Sequence, residues 1–263
     1  MPMASAPAST TQRRIFGALL FLPVIGLFLA SQIVAQWLLV IIAMAMAWEL
    51  ASMLGMPAAL RVGLLVDMLL FALPAPLIAE MEGLAGFSLL PVFLMLAALF
   101  TIFVWMVTSN RLAALFAALL LGCILSARDI LGFQNGHITL LSMAAVIAAC
   151  DIAAYFVGRR VGGPPLAPLI SPKKTRSGAI GGLVAAVLVM MALSGHMSLS
   201  LPGALIGGAV IAVLAQSGDL LESALKRKLA VKDSGSLIPG HGGFLDRFDG
   251  YLLTLPALYL YMM

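Results

Sequence analysis

The sequence predicts an all-α, polytopic transmembrane bundle of about nine spans, with the N-terminus cytoplasmic and the C-terminus outside. Three observations carry that reading. Hydrophobic residues make up 62% of the 263 positions and charged residues only 10%, whereas a soluble domain is about a quarter charged. Apolar runs approaching the ~20 residues needed to cross a hydrocarbon core recur along the chain. Of the 15 lysines and arginines, all but Arg128 fall in segments that a nine-span count assigns to the N-terminal side, the cytoplasmic bias of membrane proteins.

Residues 1–12 are rich in Ala, Ser, Pro and Thr and read as a disordered tail. Arg13 and Arg14 before an apolar run imitate a signal peptide. No small-x-small cleavage site follows, and many further spans do, so the first helix is read as retained. The expected spans are 15–30, 33–50, 62–79, 88–107, 112–126, 138–157, 179–193, 201–215 and 251–263. They divide into an N-terminal transmembrane region, 13–137, and a C-terminal region, 138–263, that carries the polar loops. Cys123 and Cys150 lie inside apolar runs and read as small buried residues. The net charge of +4 reports topology rather than nucleic-acid binding, because its bases sit between spans.

Two loops on the cytoplasmic side of this count hold the chemistry. Loop 158–178 mixes glycines and prolines with the basic run Lys173-Lys174-Thr175-Arg176. Loop 216–250 interleaves Asp219, Glu222, Asp233, Asp246 and Asp249 with Lys226, Arg227, Lys228, Lys232 and Arg247. A loop built only for anionic headgroups would be basic throughout. Interleaved charge suits another task, in which carboxylates hold a hard cation and bases neutralise phosphate oxygens. Asp246 and Asp249 are three apart, and Asp219, Glu222 and Lys226 follow helical spacing, so each set shares a helix face. Gly240-His241-Gly242-Gly243 brings backbone amides where phosphate can approach. The combination suggests a magnesium–nucleoside triphosphate site without a Walker motif.

The run from Ser223 through Leu225-Lys226-Arg227, Lys232-Asp233, Gly235, Ile238-Pro239 and His241-Gly242-Gly243-Phe244 to Asp246-Arg247-Phe248-Asp249 resembles the signature of the phosphatidate cytidylyltransferase (CDP-diacylglycerol synthase) family. Gly218-Asp219-Leu220, Asp151 with Ala153-Ala154-Tyr155-Phe156, and Ile170-Ser171-Pro172-Lys173-Lys174-Thr175 resemble it too. Three positions depart from the pattern: Ser177 stands where the family usually has glutamate, Gly250 where serine is frequent, and Ile152 where threonine is common.

The resemblance implies condensation of CTP with phosphatidate to CDP-diacylglycerol and pyrophosphate at the cytoplasmic face of a bacterial inner membrane. It implies Mg²⁺, a second metal ion being left open, with Asp219, Asp246 and Asp249 as ligands. Lys226 and Arg247 join these three as catalytic residues. Asp151, Lys173, Lys174, Thr175, Ser223, Arg227, Lys232, Asp233, His241, Gly242 and Gly243 are expected to bind substrate. The partners are CTP, phosphatidate and the bilayer, with no nucleic acid; a homodimer is left open. Other readings are a cytidylyltransferase for an ether or isoprenoid lipid, a phosphate-binding transporter, and an inactive homologue that binds CTP.

Plainer readings stand beside these. The acids of loop 216–250 can be solvated, Lys226-Arg227-Lys228 can anchor topology or meet anionic lipid, and His241 can cap a turn. Asp151 can form a structural ion pair, although an acid within a span is functional by default. Glu49 and Asp67, near the inner ends of their spans, can be either structural or functional, and the structural reading is favoured. Ser177 is expected in an exposed loop where glutamate would be tolerated.

Overall fold

A computed structural model describes residues 25, 26, 28, 31–85, 90–197, 199–235, 237–238 and 242–263. The expected tail, most of the first span and His241 lie outside the described residues. Among the described residues, ten helices and one hairpin follow in order: α1 (Gln32–Met53), α2 (Ala58–Ala72), α3 (Ala75–Ala85), α4 (Leu90–Thr108), α5 (Arg111–Gly132), α6 (Gly136–Val161), β1 (Pro165–Ala167), β2 (Ser171–Thr175), α7 (Arg176–Leu193), α8 (Leu201–Lys228), α9 (Leu245–Phe248) and α10 (Tyr251–Met262). The fold is therefore mostly helical. The antiparallel pair β1–β2 is an addition to the expected all-α architecture.

Among the described residues, five helices are long and apolar enough to cross a membrane: α1, α5, α6, α7 and α8. The expected span 62–79 is divided. Leu73 takes an extended ψ of 139°, and Pro74 separates α2 from α3, because proline lacks an N–H and forces its predecessor out of the helical region. Span 201–215 runs the other way. It continues without a break to Lys228, so the first third of the expected loop 216–250 is helix. Ser200 caps α8 by accepting from the Gly203 N–H, with Pro202 in the first turn, and three bases close its last turn where the helix dipole favours them. At 28 residues and ~1.5 Å per residue, α8 is longer than a ~30 Å hydrocarbon core, and its charged end can project beyond it.

Helix α5 is the hub. It packs against α1, α2, α4, α6, α8 and α10 and buries Phe116, Leu120, Leu121, Ile130 and Leu131 completely or nearly so. Helix α1, which packs on α2 and α5, buries Ala43, Met46, Ala47 and Leu50, a stripe at helical spacing. By contrast α6, α7 and α8 leave Ile152, Phe156, Ile180, Leu188, Ile206 and Val213 exposed on their outer faces. Broad apolar exposure of this kind is stable where the solvent is lipid.

Helices α6 and α7 form the closest pairing. A Cβ at Gly178 would lie 2.6 Å from the Ala154 carbonyl oxygen, so only glycine permits this spacing. The pairing holds the β hairpin, which connects the two helices, over one end of the bundle. The C-terminal ends of α6 and α8 and the N-terminal ends of α7 and α10 gather there. Arg128 sits at the C-terminal end of α5, ion-paired to Asp129.

Candidate active site

Strand β2 sorts its two lysines by alternation. Lys173 is exposed, while Lys174 turns inward and forms an ion pair with Asp219. Thr175 ends the strand and caps α7, accepting from the Gly178 N–H at 3.1 Å. Its hydroxyl is also hydrogen-bonded to Ser177, whose own hydroxyl donates to the Gly162 carbonyl. Ser177 is thus half-buried in the first turn of α7, tied to the hairpin. It is not the freely exposed loop position that the sequence suggested.

Along α8, Asp219, Glu222 and Lys226 share one face as their spacing requires. Lys226 Nζ lies 2.7 Å from Glu222 Oε2 and 2.6 Å from Asp246 Oδ1. It bridges α8 to α9, and Glu222 is fully buried. Asp246 is fully engaged: besides Lys226 it accepts from the backbone N–H groups of Ser234 and Gly243. Burial alone would raise its carboxyl, but the Lys226 ammonium and those two amides together hold it below the ordinary aspartate value.

Asp249 arrives through backbone contact. A Cβ at Gly218 would lie 2.4 Å from the Asp249 carbonyl oxygen, and this approach brings α8 and the end of α9 together. Oxygens of Asp219, Glu222 and Asp249 then lie within 4.8 Å of one another. Burial, reinforced by the charges of Asp219 and Glu222, pushes the Asp249 carboxyl well above its usual range. Three crowded carboxylates offer oxygen ligands, the donor type a hard divalent cation takes, and such an ion would relieve their repulsion. The residues therefore fit the implied Mg²⁺. The group so formed contains Glu222, absent from the ligand set that the sequence suggested. Asp246 stands on the other side of Lys226.

The remaining expected residues are placed as follows. Asp151 on α6 interacts electrostatically with Asp219, Lys174 and Arg247, which brings it to the cluster. Ser223 is half-buried beside Glu222, and Lys232 and Asp233 are exposed. Arg227 reaches the hairpin, donating to the Ile170 carbonyl at 3.4 Å. Gly242 pairs with Ile238 in an isolated bridge, and Gly243 is buried. Arg247 borders a cavity of about 500 Å³ whose walls include Ile42, Met46, Ile124, Leu141 and Phe248. The sequence favoured a structural over a functional role for Glu49 of α1, which is 2% exposed and hydrogen-bonded to Ser234 and to the first residue of α9. An acid inside an apolar run was its only sequence signal.

The sequence matches the model of the Cytidylyltransferase family over residues 11–263. It is 48% identical over 132 residues to a Brucella suis protein named phosphatidate cytidylyltransferase, covering 48% of this chain and 47% of that one. A Bacillus subtilis protein of the same name is 44% identical over 128 residues, 48% of each chain. A third, from Staphylococcus haemolyticus, is 37% identical over 161 residues, 57% of this chain and 61% of that one. The chain thus spans about half the length of the curated relatives it matches first. With the family model matched along nearly its whole length, the chain belongs to the cytidylyltransferase family.

Proposed function

We propose that this chain transfers the cytidylyl group of CTP to phosphatidate, yielding CDP-diacylglycerol and pyrophosphate. The observation that carries the reading is the cluster of Asp219, Glu222 and Asp249 flanked by Lys174 and Lys226. The name shared by its relatives supports the choice of substrates.

A phosphatidate oxygen attacks the α-phosphorus of CTP. The new P–O bond forms as the bond to the β-phosphate oxygen breaks, and pyrophosphate leaves with that electron pair. The second pKa of a phosphate monoester is about 6, so the attacking oxygen is already largely deprotonated and no dedicated base is needed. The difficulty is bringing anions together. Asp219, Glu222 and Asp249 would hold magnesium, which would supply charge neutralisation and Lewis acidity there. Lys174 and Lys226 offer cations to the phosphates, and Arg247 is the candidate contact for the phosphatidate headgroup, since it joins the charged site to the apolar cavity. Asp246 fixes Lys226 and acts as a positioning residue.

We read the molecule as nine spans with this end in the cytoplasm of a bacterial inner membrane. The gathering of Arg159, Arg160, Lys173, Lys174, Arg176 and the bases of α8 at one end of the bundle supports that orientation. The substrate assignment is tested by offering purified protein phosphatidate, an ether-linked analogue and an isoprenoid glycerophosphate in mixed micelles with CTP and magnesium. Preference for phosphatidate is expected; preference for either other lipid reassigns the substrate.

A further inference from the structure

We propose that Glu49, on helix α1 far from the signature in sequence, is a positioning residue that clamps the glycine-bearing segment of the nucleotide site. Its Oε2 accepts from the Ser234 hydroxyl at 3.2 Å and from the Leu245 N–H at 3.0 Å. Its Oε1 has no hydrogen-bond partner among the described residues. Ser234 is held a second time, because its backbone N–H donates to Asp246 at 3.1 Å. Two carboxylates therefore hold one buried residue, one through its hydroxyl and one through its backbone. The second of them also holds Lys226.

The glycines of this segment complete the argument. A Cβ at Gly243 would lie 2.5 Å from Glu49 Oε2, and one at Gly235 would lie 2.6 Å from Oε1. At Gly243 the Ser234 hydroxyl is nearer still, so a side chain at either position would displace the Glu49 carboxylate, and at Gly243 the serine with it. These signature glycines thus give Glu49 room to reach the backbone. A hydrogen-bonding chain runs from α1 through Glu49, Ser234, Asp246 and Lys226 to Glu222. A buried network of this kind restricts the arrangements open to the groups it joins. What the segment does for CTP rests on the proposed function; what holds it does not.

The test compares Glu49→Leu, similar in volume but without an acceptor, with Glu49→Gln, which keeps one oxygen. Hydrogen–deuterium exchange is measured on full-length protein in detergent alongside turnover. Glu49→Leu is expected to speed exchange at least about 10-fold in peptides covering 234–245 while α5 and α6 stay protected. Turnover should fall at least about 100-fold. Glu49→Gln should keep turnover within about 10-fold of wild type and restore most of the protection. Should Glu49→Leu not yield folded protein, Ser234→Ala removes only the hydroxyl donor and should produce the same local loosening to a smaller degree. Wild-type exchange in 234–245, or a rise spread evenly over the chain, overturns the proposal. A local rise in a protein whose wild type makes no CDP-lipid leaves the clamp standing and defeats the proposed function instead.

Discussion

Gly218 and Asp249 meet backbone to backbone, with room for no atom between the glycine Cα and the Asp249 carbonyl. That contact delivers the Asp249 carboxylate to Asp219 and Glu222. Gly218→Ala is expected to separate them, with an overpacking cost of about 1–3 kcal/mol. Thermal melting should register that cost, and turnover should drop more than the fraction unfolded explains. Wild-type turnover with a methyl at 218 would mean that Asp249 does not need this approach.

In the proposed mechanism the acids of the site divide by task. Asp219→Asn, Glu222→Gln and Asp249→Asn should each lower turnover at least ~100-fold, about 2.7 kcal/mol of transition-state stabilisation, and raise the magnesium concentration needed for half-maximal rate. Asp246→Asn should lower turnover with the magnesium requirement unchanged. Magnesium titrations of the four variants check this. A magnesium shift confined to Asp246→Asn would make it a ligand and unseat Glu222.

Much of this arrangement is legible in the sequence. The spacing of Asp219, Glu222 and Lys226 predicts one helix face, and the side chains meet as that spacing requires. The run from Ser223 to Asp249 contributes Asp246 and Asp249 to the end of the bundle where the acids gather. Other features are invisible locally. That Asp246 turns to Lys226 while Asp249 turns to Asp219 depends on a helix of four residues whose end packs on Gly218. The task of Glu49 depends on partners 185 and 196 residues away, a separation at which no periodicity carries information.

Lys226 lies between two carboxylates with 11% of its side chain exposed. Lys226→Met leaves both without their cation and should cost about 3 kcal/mol or more of stability, read from denaturant unfolding. The bridge also has a pH signature. The folded state holds Asp246 below its ordinary value, so its contribution is full above about pH 4 and fades as pH falls through the lowered folded value. The stability gap between wild type and Asp246→Asn should close over that acid range. A gap that stays constant into acid would dissociate Asp246 from Lys226.

At position 177, the serine hydroxyl bonds Thr175 at the end of the hairpin and donates to the Gly162 carbonyl that closes α6, so it ties both to α7. Ser177→Glu is expected to lower turnover, because a carboxylate cannot donate to the Gly162 carbonyl. Titrations of CTP against both proteins decide it. A rise in turnover would mean that added negative charge serves the metal site more than the hairpin bond does.

Orientation is open to labelling, since Cys123 and Cys150 are buried. Cysteine placed at exposed Lys232 should be shielded from an impermeant maleimide in intact cells, and cysteine at exposed Gly83 should react. Reaction at both would contradict nine spans with the site inside.

Transfer of the cytidylyl group of CTP to a lipid phosphate is tested most directly by following the phosphates of CTP. Purified protein with phosphatidate and magnesium is given CTP labelled at either the α- or the γ-phosphate. The account predicts α-label in a lipid product and γ-label in soluble pyrophosphate, in equal amounts. Label from CTP that never enters lipid, in a preparation that still binds CTP, would contradict it.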